Sequence, residues 1–188
     1  MSQTFLDENP PMILDATCSY GRIWPAHATV RIDIRPETKP DFVMDNTNLN
    51  FPDAFFDEIY YDPPHVFRRT REGLAKLKAY RMRSGRLSPT FFERFGFWET
   101  RTDWITHLKG VNWEFYRCLK PTGFLYAKIA DSKNGVHLLE VETELFNFNI
   151  TKDRITKGKS NIGTSVVHWL TMRPKPTASK AASEQGGA

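Results

Sequence analysis

The stretch Glu58-Ile-Tyr-Tyr-Asp-Pro-Pro-His65 decides the reading of this chain. An apolar, aromatic run stops on an aspartate, and two consecutive prolines follow it. Proline fixes its own φ and biases the preceding residue toward extended backbone. Asp62 and Pro63 each precede a proline, so both are held extended beyond the end of a strand.

Working outward, four more short apolar runs appear: 12–16 (MILDA), 29–34 (TVRIDI), 41–45 (DFVMD) and 123–130 (GFLYAKIA). Runs of this length, rich in Ile, Val, Phe and Tyr, read as buried parallel strands. Helical spacing is expected near 70–83, 100–119 and 136–148. Two further strands, 149–157 and 164–174, flank the turn 158–163 (GKSNIG) and would close the sheet with an antiparallel hairpin. The expected fold is α/β: a Rossmann-like, mostly parallel seven-stranded sheet with a C-terminal antiparallel strand and helices on both faces. Residues 1–175 form one domain with a basic insertion at 66–109, and 176–188 is a small, polar tail expected to be disordered.

The chain has 188 residues with 40% hydrophobic and 26% charged side chains, a globular composition. No apolar run approaches a membrane span, and the N-terminus lacks the pattern of a signal peptide. Two cysteines, Cys18 and Cys118, make neither a disulfide framework nor a metal cluster, so a reducing cytoplasmic setting is the default. His107, His137 and His168 show no metal spacing and read as structural or surface residues. Residues 1–65 carry 4 basic and 11 acidic side chains, whereas 66–109 carry 11 and 4. Positive charge concentrated directly after the Asp-Pro-Pro-His sequence suggests a polyanionic partner.

Four carboxylates fall at strand ends: Asp15, Asp33, Asp45 and Asp62. In open α/β sheets, ligands bind outside the carboxyl ends of the strands. The loop after the first strand contains Ser19 and Gly21 but no G-x-G-x-x-G, and its aspartate disfavours phosphate. Asp15 favours an ammonium group there. Asp33 stands where a ribose hydroxyl acceptor is needed. Asp45 and Asn46 are placed to read an adenine edge. An ammonium, a ribose and an adenine without phosphate describe S-adenosyl-L-methionine.

On these residues the chain resembles class I S-adenosylmethionine-dependent methyltransferases, in the branch that modifies exocyclic amino groups of nucleic-acid bases. Asp62-Pro63-Pro64-His65 matches that branch's motif. The cofactor loop is matched by 15–21 (DATCSYG), with Ser19 where the first of two glycines is usual. The resemblance covers roughly 12–65 and 110–175. It implies that Asp15, Ala16, Cys18, Ser19, Gly21, Asp33, Ile34, Asp45, Asn46 and Asp62 contact the cofactor. It implies that Asp62, Pro63, Pro64 and His65 hold the target nitrogen.

Phe67, Arg68, Arg69 and Arg71, closest to His65, are expected to meet the substrate. Phe91, Phe92, Phe95, Phe97 and Trp98 read mainly as packing of the insertion. Tyr20 and Trp24 serve equally well as cofactor lining or as core. The expected partner is RNA or DNA, with no membrane, and a second copy or a partner subunit would extend so small a recognition surface. Two alternatives stay open: a small-molecule methyltransferase with a solvated lid, and a nucleic-acid-binding subunit of the same fold without turnover. Asp-Pro pairs also end strands as plain turns, and Cys18 reads as a small buried filler.

Overall fold

The computed structural model describes residues 10–19, 27–67, 96–133, 135–160 and 163–176. Seven strands form one sheet: β1 (Ile13–Asp15), β2 (Val30–Asp33), β3 (Phe42–Val43), β4 (Phe56–Tyr61), β5 (Leu119–Asp131), β6 (Phe148–Ser160) and β7 (Gly163–Pro174). Their order is β3-β2-β1-β4-β5-β7-β6. The first five strands run parallel, and β7 is antiparallel to both β5 and β6. The expected mostly parallel sheet with an antiparallel C-terminal hairpin is the observed one.

Two α-helices are described, α1 (Arg101–Cys118) and α2 (Leu138–Glu144). Helix α1 starts on a capping box: the Thr100 side chain accepts from the Asp103 N–H, and the Asp103 carboxylate accepts from the Thr100 N–H. Trp104, Leu108, Val111, Phe115 and Cys118 recur at three- and four-residue intervals and are all buried, the stripe expected of a core-facing helix. They pack with Ile59, Tyr61, Leu125, Ala127 and Ile129 in one core, which Val141 and Leu145 join from α2 and the turn after it.

Strands β4 and β5 alternate rather than being buried throughout. Ile59, Tyr61, Leu125, Ala127 and Ile129 are buried, while Glu58, Tyr60, Phe124, Tyr126 and Lys128 are half-exposed on the opposite face. Both described α-helices therefore cover one side of this part of the sheet. Aromatic rings stack along the other side: Tyr60 on Tyr126 with centroids 4.7 Å apart, and Tyr126 on Phe124 at 6.0 Å.

Several boundaries differ from the expected ones. Strand β3 is only two residues long and exposed at the sheet edge, so Asp45 lies beyond it rather than closing it. Strand β5 begins at Leu119, because Leu119 pairs with Phe56 across a register shift in β4. Helix α2 is shorter than its periodic segment. The expected six-residue turn at 158–163 is overturned: Gly158, Lys159 and Ser160 pair with Ser165, Thr164 and Gly163. The ladder continues because antiparallel backbone groups satisfy one another without needing particular side chains. Only 161 and 162 are left between the strands. The expected helix at 70–83 and the tail lie outside the described residues.

Leu125 is fully buried at the centre of β5. Leu125→Ala is expected to cost about 2–5 kcal/mol by removing buried methyl groups and leaving a cavity, read as a lower urea midpoint with an unchanged slope.

Candidate active site

At the carboxyl ends of the parallel strands lies a cleft of about 450 Å³, within the size range of small-molecule sites. Asp62 is the first residue after β4, and its side chain is only 6% exposed. Its N–H donates to Thr17 Oγ1 at 2.7 Å, tying the β4 exit to the β1 loop. One carboxylate oxygen, Oδ2, accepts from Lys128 Nζ at 2.9 Å. The other, Oδ1, lies 2.9 Å from His65 Nε2. The Ala130 N–H donates to His65 Nδ1 at 3.4 Å, so the network assigns the ring proton to Nε2, which donates to Asp62. Burial pushes the Asp62 carboxyl up, yet the hydrogen bond from His65 and the charge of Lys128 outweigh it and hold Asp62 below the ordinary carboxylate range. Each carboxylate oxygen has one such donor and keeps a further acceptor site.

The prolines are braced from outside. Trp98 Nε1 donates to the Pro64 carbonyl at 2.7 Å. Gly96 has φ of 70°, and a Cβ there would stand 2.9 Å from Pro64 Cγ. Val136 N–H donates to the His65 carbonyl, and a Cβ on Gly135 would collide with that carbonyl. Among the described residues nothing donates to the Pro63 carbonyl. Pro63, Pro64 and His65 all line the cleft with Asp62.

The cofactor-loop residues distribute unevenly. Ala16, Ser19, Asp33, Ile34, Asp45 and Asn46 line the cleft, whereas Asp15 and Cys18 are buried beside it. The Asp15 carboxyl accepts from the Thr17 N–H. Burial, reinforced by the nearby charge of Asp62, pushes it up to about 6. Burial also pushes the Cys18 thiol up to about 11, which suits a filler and not a nucleophile. Ser19 adopts φ of 45°, the left-handed conformation that glycine takes more easily. That geometry directs its N–H at Asp33 Oδ2, 3.0 Å away.

Asp33 closes β2 as expected, but its carboxylate is already engaged. Arg35 donates to Oδ1 from its backbone N–H and from Nε, both at 2.9 Å, and to Oδ2 from Nη2 at 3.0 Å. Ser19 completes four donors on two oxygens, the full acceptor capacity of a carboxylate. Asp45 Oδ1 accepts from the Thr47 N–H and hydroxyl.

Two buried polar atoms in the cleft wall, Asn46 Oδ1 and the Tyr61 hydroxyl, have no hydrogen-bond partner among the described residues. Orphaned buried groups of this kind are rare and fit a polar ligand that supplies the missing partners. Burial raises the Tyr61 phenol well above its ordinary value, so the hydroxyl keeps its proton. Among the described residues no group of three His, Cys, Asp or Glu side chains is placed to hold a metal, and no helix is long and apolar enough to cross a membrane.

Sequence reasoning missed Lys128, Arg35 and Thr17. Lys128 lies in a strand read only as core, where a lone lysine inside an apolar run was the available signal. Trp98 and His107 were read as packing or surface, yet both line the cleft. His107 packs 4.7 Å from Trp98 and is held neutral, its pKa pushed down by burial to about 4 against the charge of Asp45. Phe67 does not line the cleft; it bridges to Trp98, with the Arg101 guanidinium 5.3 Å above its ring. Gly21, Arg68, Arg69 and Arg71 lie outside the described residues.

No family profile and no curated protein matches the sequence. Solved structures do match its shape. The PH0226 protein from Pyrococcus horikoshii is 15% identical, with a TM-score of 0.55 over 90% of this chain and 84% of that one. A SAM-dependent methyltransferase from Methanosarcina mazei is 13% identical, with a TM-score of 0.50 over 88% of this chain and 92% of that one. The cyclase SpnF is 12% identical, with a TM-score of 0.54 over 89% of this chain and 76% of that one. The chain thus has the Rossmann-like fold of S-adenosylmethionine-dependent methyltransferases. A cyclase on the same fold shows why activity must be argued from the site.

Removing the ammonium with Lys128→Met is expected to raise the Asp62 pKa, because a lost positive neighbour disfavours the ionised form. Carboxyl-carbon NMR titration of the two proteins reads this directly.

Proposed function

We propose that this protein is an S-adenosyl-L-methionine-dependent methyltransferase that acts on an exocyclic amino group of a base in RNA or DNA. The observation that carries this reading is the Asp62-Pro63 corner: an ionised, immobilised carboxylate beside a carbonyl that no described residue engages, both at the cleft. Asn46 Oδ1 and the Tyr61 hydroxyl support the cofactor reading, since an adenosyl group brings both donors and acceptors. Asp45 and Asn46 would take the adenine edge, and Asp33 the ribose hydroxyls once Arg35 yields its place. Asp15 acts from below the floor, where its charge favours a cationic ligand.

An aromatic amino nitrogen is a weak nucleophile because its lone pair is delocalised into the ring. Asp62 and the Pro63 carbonyl accept its two N–H bonds and draw the nitrogen toward tetrahedral geometry, which localises the lone pair. When bound, the cofactor supplies a methyl carbon on a positively charged sulfur that departs as a neutral thioether. Position dominates such a reaction, and the two prolines, Trp98 and Thr17 supply it. The nitrogen becomes acidic as its new bond forms, so Asp62 need not be a strong base. Its ionised carboxylate balances the developing charge and accepts the proton that is shed. His65 lies against the base, and a base within a duplex must flip out to reach it.

Asp62→Ala is expected to lower transfer of labelled methyl groups to nucleic acid by at least about 10²-fold, the scale for loss of one preorganised polar contact. Cofactor affinity by calorimetry should hardly change. A fully active variant sinks the role given to Asp62, and label entering only metabolites sinks the nucleic-acid reading.

Cofactor binding is also expected to depend on pH through Asp15. Its carboxyl must ionise to favour a cation, so affinity is full above pH 6. It falls by up to about tenfold per pH unit below that, as the proton competes. Dissociation constants measured between pH 5 and 8 check this, and a flat profile contradicts it.

A further inference from the structure

The sheet face opposite α1 and α2 carries a feature that reaches beyond the cleft and shares only Lys128 with it. On it, Lys128 of β5, Trp169 of β7 and Arg154 of β6 stand side by side across three strands, a span of about 10 Å at the usual strand spacing. Lys128 Nζ lies 5.5 Å from the Trp169 ring centroid and the Arg154 guanidinium 5.7 Å from it. One row further along, Tyr126, Thr171 and Lys152 align in the same way. Beyond them the Arg173 guanidinium sits 4.2 Å above the Phe124 ring.

Lys152, Arg154 and Arg173 are exposed, and none of them forms an ion pair with a described residue. The carboxylate on this part of the face, Glu58, is occupied by the Tyr60 hydroxyl at 2.8 Å. Asp153, the acid within the basic run of β6, is turned to the other face, where it pairs with His168 at 2.7 Å. Within β6, strand alternation therefore sorts the charges: Lys152 and Arg154 on one face, Asp153 on the other. The exposed large apolar side chains, among them Ile155, Val166, Trp113 and Leu139, lie away from this surface, which disfavours a lipid partner.

We propose that this β5–β7–β6 face is a binding platform for single-stranded nucleic acid, running from the sheet edge to the Asp62 corner. The inference rests on the proposed function and places its substrate. Exposed cations that no described carboxylate engages (Lys152, Arg154 and Arg173), interleaved with aromatic rings, are what a single strand requires, with phosphates meeting the charges and bases the rings. Lys128 makes the platform continuous with the site, because the ammonium that faces Trp169 also holds Asp62. An unpaired strand on this surface presents its bases without the cost of opening a duplex.

The test is binding of labelled, mixed-sequence oligonucleotides, single-stranded RNA and single-stranded DNA in separate arms with duplex DNA as a third. Full-length protein is compared with the triple variant Lys152→Ala, Arg154→Ala, Arg173→Ala, none of which belongs to the catalytic corner. The variant is expected to bind single strands about tenfold or more weakly. Its log-log salt slope should fall by about 2, three phosphate contacts at roughly 0.7 each. Cofactor affinity and melting temperature should stay the same. Loss in only one of the two single-strand arms supports the platform and identifies the sugar. Equal affinity and slope in wild type and variant overturn it, as does a wild type that binds no oligonucleotide at low salt. Duplex bound as tightly, with the same loss, overturns the single-strand assignment. If the expected binding loss occurs but wild type transfers no methyl group to any nucleic acid, the platform stands and the proposed function falls.

Discussion

One buried carboxylate organises this molecule's candidate site. Asp62 leaves the end of β4 with both oxygens held, one by a lysine from the neighbouring strand and one by a histidine three residues on. Desolvation alone would favour its neutral form, and the two donors reverse that preference. An acceptor that must be both charged and still is difficult to place in water, where it would be solvated and free to turn. Inside the protein it is neither, because the loop after β1 supplies Thr17 to its backbone, β5 supplies Lys128, and the Trp98 indole fixes the second proline. The sheet order β1-β4-β5 brings Thr17 and Lys128 to one edge beside Asp62.

The same arrangement explains why neighbouring groups have the properties they do. Asp15 is buried and lies close enough to feel the charge of Asp62, and of the two only Asp62 has an ammonium in contact. Asp15 is therefore the carboxyl whose proton is retained longest. Tyr61 is buried beneath α1 and His107 within that helix's inner side; burial keeps both neutral, and they give the cleft an aromatic wall that ends in a hydroxyl unpaired among the described residues. A charged, rigid corner on one side and a neutral aromatic wall on the other make the two halves of the cleft chemically different.

Much of this was legible in the sequence because it depends on local rules. Two prolines after an aspartate declare an extended corner, and four acids at the ends of apolar runs declare a sheet edge. What stayed hidden depends on pairing across the sheet. Tyr60 and Tyr126 counted as core in an apolar run, yet the pleat turns them outward. Lys128 looked like an interruption of β5, and its partner Asp62 lies 66 residues away. The turn between β6 and β7 was overestimated because glycine and serine suggested a loop, while register alone continued the ladder to Ser160. Arg35 escaped notice for a different reason: an arginine two residues after an aspartate carries no signal until the backbone curls it back.

That curl has a thermodynamic corollary. The four donors gathered on Asp33 make the protein its own first occupant of that seat. Any incoming diol there competes with a tethered guanidinium, so its gain is the difference between two sets of hydrogen bonds rather than the whole of one. Molecules with adjacent hydroxyls can replace the fork almost bond for bond; deoxygenated ones leave a deficit. Discrimination at such a seat would arise from what must be dislodged.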